Sequence, residues 1–172
     1  MKLSNTVNVI DVEHDNGRLI EIGLTTLSLK DRKILQSYSL SIKPDFQLSL
    51  EISQLTGWTQ AKLLKQGISK EEASRRLDVY GGRNRLLVTD HSDEIPFLET
   101  ALSRPLSPHR LNVSLMVALF TGNDINLGLD QMLALYDLTF EGHPHSAVDD
   151  SRNIARLFLK VLPKPAPCSD PV

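Results

Sequence analysis

The chain has a single cysteine, a single tryptophan and no excess of positive charge. Cys168 lies in the Pro-rich stretch "PKPAPCSDPV", which leaves no disulfide framework and no cysteine-based metal site, and points to a reducing compartment. No apolar run approaches the length needed to cross a bilayer, and the N-terminus lacks a basic-then-apolar signal pattern. A soluble, cytoplasmic protein is therefore expected. With Lys and Arg numbering 19 against 21 Asp and Glu, the net charge is −2, which argues against coating long nucleic acid through phosphate contacts alone. Short contacts remain allowed. Basic residues do gather from Lys62 to Arg85 (Lys62, Lys65, Lys70, Arg75, Arg76, Arg83, Arg85); they read as a solvated helix face, with a nucleic-acid track as the alternative. No internal repeat is present, and only the tail after Leu162 has the composition of low-order sequence.

At 172 residues, 41% of them hydrophobic, the chain can bury one substantial core and is short for two domains. One domain over residues 1–162, followed by a C-terminal tail at 163–172, is the economical reading. Period-2 and apolar patterns give three successive strands at Val7–Ile10, Arg18–Leu29 and Ile34–Ile42, divided by turn material at Asp15-Asn16-Gly17 and Lys30-Asp31-Arg32. Short helices occupy Ser49 to Tyr80. A buried strand follows at Arg85–Val88, then a helix at Asp93–Ser103, a fifth strand at Leu111–Val113, and helices near Ser114–Phe120, Leu127–Tyr136 and Ala147–Leu162. Strands first, then strands alternating with helices, imply an α/β fold with a mixed five-stranded sheet flanked by helices.

Four acids and a histidine carry the chemistry. Asp11 and Glu13 follow an apolar run, and period-2 geometry puts them on one face of a strand end. Adjacent carboxylates repel, and are tolerated when a hard cation such as Mg²⁺ or Mn²⁺ sits between them. Strand ends meeting solvent also carry acids for no special reason. In "HSAVDD", His145 lies in a loop and Asp150 in the first turn of the terminal helix (Ile154, Leu157, Phe158 and Val161 supply its apolar face). The helix dipole accounts for Asp149 and Asp150 but not for the histidine. Between these segments, "RLLVTDHSDEIPFLETAL" offers Asp90 and Asp93. Asp93 is favoured, because Ser92 can cap a helix whose first turn accepts Pro96 and whose inward face is Leu98 and Leu102; Asp90 is the alternative.

Asp11-x-Glu13, an Asp opening a helix after a mid-chain strand, and His145-x-x-x-x-Asp150 resemble the three motifs of the DEDDh branch of the DnaQ-like 3′→5′ exonucleases. The nearest group is the one trimming histone-mRNA and small-interfering-RNA ends, with its bacterial and phage relatives. The supporting stretches are "RLIEIGLTTLSL", "LEISQLTGWTQAKLLKQG", "HRLNVSLMVALF" and "LGLDQMLALYDLTFEGHPHSAVDDSRNIARLF", which occur in the family's order from Val7 to Leu162. The resemblance implies a ribonuclease H-like fold and two-metal-ion hydrolysis at single-stranded 3′ ends, RNA favoured over DNA. Asp11, Glu13, Asp93 and Asp150 would hold two Mg²⁺ or Mn²⁺ ions, with Asp11 touching both, and His145 would act as a neutral general base. Val12, His14, Leu55 and Trp58 are the substrate-binding candidates it implies. Trp58 reads equally as a base-stacking surface and as core. His14 stands where the family often has Thr, and the aromatic residue that often precedes the second-motif acid is missing here.

Other readings stay open. A DNA-directed, proofreading-like exonuclease would share the same residues. A hydrolase of small phosphodiesters would be separated from a polymer enzyme by a length series of substrates. An inactive nucleic-acid-binding module on the same fold would lack an acid or the histidine, whereas all five positions are filled. Choice of target would fall to a protein partner or to the accessibility of 3′ ends, and no coiled-coil pattern announces an oligomer.

Overall fold

Residues 5–82 and 85–163 are described by the computed structural model; Arg83, Cys168 and most of the Pro-rich tail fall outside them. The first strand, β1 (Thr6–Asp15), is longer than the apolar run Val7–Ile10, because pairing carries it past the point where hydrophobicity stops. It runs antiparallel to β2 (Arg18–Ser28) as far as Asp15 opposite Arg18, and its first half is also parallel to β4 (Leu86–Thr89). Asn16 and Gly17, at φ 48° and 76°, close the hairpin with the two left-handed residues that a tight turn requires. With β3 (Lys33–Ser41) outside β2 and β5 (Arg110–Asn112) outside β4, the sheet order is β3-β2-β1-β4-β5. The first three strands are antiparallel and the last two are added in parallel, which is the mixed five-stranded sheet anticipated from the sequence.

Three short helices fill the segment after β3: α1 (Leu50–Thr56), α2 (Gln60–Gln66) and α3 (Lys70–Gly81). Each starts at a hydroxyl residue, Ser49, Thr59 or Ser69, whose side chain accepts a backbone N–H of the first turn. Then come α4 (Glu94–Leu102), α5 (Val113–Thr121), α6 (Leu129–Ala134) and α7 (Ala147–Val161). The α6 helix is shorter than the expected Leu127–Tyr136. Strand alternation divides the core into two layers. Val7, Val9, Leu27 and Val88 pack against Val117, Met132, Ile154 and Phe158 of α5, α6 and α7. Ile10, Ile22, Leu24 and Leu87 pack against Ala73, Leu77, Ile95 and Leu98 of α3 and α4. The same parity carries Asp11 and Glu13 onto the α7 side of the sheet.

On β2 the residues facing α7 opposite Val9, Asp11 and Glu13 are Thr25, Gly23 and Glu21. This small and polar row lets the start of α7 sit directly on the sheet: Thr25 Oγ1 lies 2.9 Å from Ser151 Oγ, and Glu21 accepts the Ala147 N–H at 3.2 Å. Among the basic residues, Arg75 and Arg76 pair with Glu72 on α3 and Lys62 donates to the Gly57 carbonyl at 3.1 Å. The outer side of α5 leaves Leu115, Leu119 and Phe120 exposed. Among the described residues no helix is long and apolar enough to cross a membrane.

Candidate active site

Three chain segments bring carboxylates to one point at the α7 side of the sheet. Asp11 and Glu13 come from the second half of β1, Asp150 from the first turn of α7, and Asp90 from the residue just after β4. The parallel register explains Asp90: Val9 pairs with Val88, so two residues further along each strand Asp11 and Asp90 stand side by side on the same face. Two overlapping sets result, Asp11–Glu13–Asp150 and Asp11–Asp90–Glu94, each with its carboxylate oxygens within 4.8 Å of one another. Asp11 belongs to both.

The structure leaves Asp93, expected to supply the second-motif carboxylate, outside both carboxylate sets and brings in Asp90, the alternative, together with Glu94. Asp93 is exposed and is the N-cap residue of α4, with no side-chain capping bond; Ser92, expected as the cap, does not take that position. The chain leaves β4 at Thr89 and re-enters a helix at Glu94, a bend tightened by Ser114 N–H donating to the Asp90 carbonyl. Because Ile95 and Leu98 must face the core, Glu94 in the same first turn is directed toward the carboxylates while Asp93, one position earlier, is left in solvent.

His145 lies in the loop before α7, exposed and with φ at 63°. That left-handed conformation is tolerated by histidine more readily than by branched residues, and it accompanies a hydrogen bond from the His145 backbone N–H to the Asp150 carboxylate. The loop itself is tied to α7. The Asn153 amide donates to the carbonyls of Glu141 and Asp149 at 2.9 Å each, and its oxygen accepts the Glu141 N–H at 3.1 Å. Asp149 accepts the His143 N–H at 3.0 Å and pairs with Arg152, so it fixes the loop and takes no part in either carboxylate set.

The sequence reading missed Glu21. It is 2% exposed and fully engaged: Ser39 Oγ donates to it at 2.6 Å, Trp58 Nε1 at 2.9 Å, and the Ala147 N–H at 3.2 Å. One carboxylate thus joins the sheet, the start of α7 and the α1–α2 loop around Glu13, its partner across β1 and β2. An acid inside the apolar run "RLIEIGL" is the signal that could have revealed it.

Trp58 is accordingly held in place. Its ring packs beside Ile20, Leu48 and Leu63 and also walls a cleft of about 670 Å³ together with Glu21, Leu55, Lys62, His143 and Pro144. Leu55 is 45% exposed at the cleft rim. Val12 and His14 do not line that cleft; Val12 packs into the α3–α4 layer and the His14 ring lies 5.0 Å from that of Phe97.

Electrostatics show what the site is built to hold. Burial first, then the charges of Asp150, Asp90, Glu13 and Glu21, raise Asp11 well above the usual carboxylate range. Burial, Asp150 and Glu21 push Glu13 up to about 8. Asp150 rises to about 7 by burial, against the lowering effect of the His145 N–H, with Asp90 and Asp149 adding repulsion. Among the described residues, Asp11 Oδ2, Asp90 Oδ1 and Glu94 Oε2 are buried without a hydrogen-bond partner. An oxygen-only set of carboxylates, largely buried and with three oxygens lacking a hydrogen-bond partner, fits one or more hard divalent cations such as Mg²⁺ or Mn²⁺.

A pH dependence follows for the metal-free protein. Glu13 and Asp150 hold protons more tightly folded than unfolded, so the folded state binds more protons between about pH 4 and pH 8 and stability must fall as pH rises through that window. Thermal unfolding in EDTA should therefore show a lower midpoint near pH 8.5 than near pH 5. Millimolar Mg²⁺ or Mn²⁺ should recover much of the loss, since an ion bound only by the folded state stabilises it. A midpoint that is flat or rising with pH in EDTA would contradict the raised carboxyls.

The exonuclease family RNase_T matches residues 7–158. No curated protein matches the chain. Among solved structures it is similar to the nuclease domain of 3′hExo, a DEDDh family member bound to rAMP, at TM-score 0.79 and 20% identity over 91% of this chain and 90% of that one. A 3′-exonuclease described in recognition of the histone mRNA stem-loop gives TM-score 0.78 and 21% identity over 93% and 82%. Exonuclease X in complex with 5′ overhanging duplex DNA gives 0.69 and 19% over 90% of each chain. These likenesses cover at least 90% of this chain and show the ribonuclease H-like fold. With the family match running from β1 into the last turn of α7, the chain belongs to the exonuclease family, hydrolases of the phosphodiester bonds of nucleic acid.

Proposed function

We propose that this protein is a metal-dependent 3′→5′ exonuclease that releases nucleoside 5′-monophosphates from single-stranded ends, RNA in preference to DNA. The observation that carries the reading is the pair of carboxylate sets joined at Asp11. Mg²⁺ or Mn²⁺, two ions in this reading, would supply the Lewis acidity that activates water and stabilises the leaving 3′ oxygen. The protein residues do the rest. Asp11, Glu13, Asp90 and Asp150 hold the centre rigidly, because three of them sit on or beside paired strands and the fourth on a helix seated against the sheet. His145 takes the proton of the attacking water through its imidazole, as the phosphorus–O3′ bond breaks and the leaving oxygen gains a proton from solvent. Leu55 and Trp58 line the cleft together with His143 and Pro144, and the terminal nucleotide packs between them; Val12 and His14 lie outside this cleft and take no part in this reading.

The RNA preference rests on likeness to the 3′-exonucleases seen with a histone mRNA stem-loop and with rAMP. Likeness to exonuclease X with duplex DNA keeps DNA as the second substrate to be tested. The experiment is digestion of matched 5′-labelled single-stranded RNA and DNA with Mg²⁺ or Mn²⁺, with EDTA and His145→Ala run alongside. A ladder shortening from the 3′ end, stopped by EDTA and slowed roughly 10²–10⁴-fold by His145→Ala, is the expected result. Absence of shortening on both polymers by folded, metal-supplied protein would overturn the proposal.

A further inference from the structure

The acid at the start of α4 is not the one that reaches the centre. From the end of β4 into the start of α4 the chain carries three acids, Asp90, Asp93 and Glu94, and only Asp90 and Glu94 join the carboxylate set with Asp11. Asp90 follows the end of β4 beside Asp11, and Glu94, four residues later, opens the first helical turn of α4, whose Ile95 and Leu98 are buried in the core. A second observation shows that the group is made to receive something. Asp11 is only 9% exposed, yet its Oδ2 has no hydrogen-bond partner, and the facing oxygens Asp90 Oδ1 and Glu94 Oε2 are buried and unpartnered as well. Among the described residues no Lys or Arg pairs with any of the three; the His91 Nε2 lies 3.8 Å from the other oxygen of Asp90. Three buried carboxylate oxygens with no hydrogen-bond partner, on side chains this close together, are a costly arrangement in a protein interior, and a divalent cation supplies the missing charge.

Resting on the exonuclease reading above, we infer that Glu94 is a metal-ligating carboxylate of this centre: it completes an Asp11–Asp90–Glu94 cage for one divalent ion, while Asp93 stays outside. The protein then presents five carboxylates where the family pattern has four, with Asp90 and Glu94 sharing the place of the single helix-start aspartate. The extra carboxylate is permitted by the short bend from Asp90 to Asp93, which brings the first turn of α4 close enough to Asp90 for both side chains to meet.

The test reads ion binding directly. Mn²⁺ titrations of the full chain, followed by electron paramagnetic resonance and by calorimetry, are run on the natural protein, Glu94→Gln and Asp93→Asn. Glu94→Gln should weaken at least one Mn²⁺ binding event by about tenfold or more, a loss no smaller than that of an outer-shell partner, whereas Asp93→Asn should bind as the natural protein does. Metal-free thermal unfolding accompanies each titration. Glu94→Gln should melt at or above the natural midpoint, because a buried carboxylate without a donor has been removed, and weak binding then cannot be ascribed to misfolding. Natural affinity in Glu94→Gln, or an equal loss in Asp93→Asn, would overturn the assignment. If the natural protein binds no Mn²⁺, this inference and the nuclease reading fall together; if it binds Mn²⁺ but digests neither strand, only the nuclease reading falls.

Discussion

Replacing Asp11 by asparagine should abolish digestion and, at the same time, raise the thermal midpoint of the metal-free protein. The first half follows from position. Asp11 is the one carboxylate common to both acidic sets, so its removal weakens the whole centre, and a loss on the order of 10³-fold or more is expected where an outer-shell partner costs about 10–100-fold. The second half follows from the same geometry. Asp11 is buried, faces the charges of Asp150, Asp90, Glu13 and Glu21, and leaves Oδ2 without a donor. Asparagine has nearly the same shape, carries no charge and brings two N–H donors to that acidic neighbourhood. The fold is relieved of repulsion while the site loses its purpose, the trade between stability and activity that functional sites display. Digestion of labelled RNA, together with unfolding scans in EDTA, measures both halves. A variant that is less stable than the natural protein and still active would mean that Asp11 is a structural acid and that the centre lies elsewhere.

How far this site can be read from sequence depends on whether each residue is placed by local or by long-range structure. Asp11 and Glu13 follow an apolar run, and Asp150 begins an amphipathic helix, so local periodicity suffices to place them. The strand order at the level of successive elements is legible for the same reason, and the five strands fall where alternation and turn residues indicate. Asp90 is different. Its place beside Asp11 depends on the parallel register of Val9 with Val88, a pairing across about eighty residues that no local pattern encodes. Helix-capping logic directs attention to Asp93 instead, yet α4 is oriented by Ile95 and Leu98, and that orientation turns Asp93 outward and Glu94 inward. A local cue did exist: Asp90 ends "RLLVT" as Asp11 ends "VNVI", two acids in equivalent positions of two neighbouring strands. Glu21 stayed hidden because an acid within an apolar strand is uncommon, and its three donors come from β3, the α1–α2 loop, and α7. Strand length was underestimated for β1 because its acidic half looks like a strand end, when hairpin pairing to Asp15 in fact continues.

The heaviest structural penalty should come from adding one carbon, in Gly23→Ala. Gly23 stands opposite Asp11 on β2, and a Cβ there would lie 1.8 Å from the Ala147 carbonyl oxygen, 2.1 Å from its carbon and 2.6 Å from the Val148 nitrogen. All three atoms are backbone, so no side chain can rotate away; the first turn of α7 must lift off the sheet. Overpacking a core ordinarily costs about 1–3 kcal/mol, and a contact this close to rigid backbone should reach the upper end or pass it, lowering the melting midpoint by roughly 2–4 °C for each kcal/mol in a chain of this size. The consequence reaches the chemistry, because the same turn carries Asp150, the N–H that Glu21 holds, and the loop bearing His145. A shift of about 1 Å in such groups can cost on the order of 10²-fold in rate. Thr25→Ala, two residues along the same face, removes a hydroxyl that bridges Ser37 and Ser151 but adds no volume, and should cost only about 1 kcal/mol. Urea unfolding and the digestion assay on both variants decide the matter: if Gly23→Ala unfolds at the urea concentration of the natural protein and keeps its rate, α7 does not rest on β2 at this point, and the joining of Asp150 to Asp11 needs another explanation.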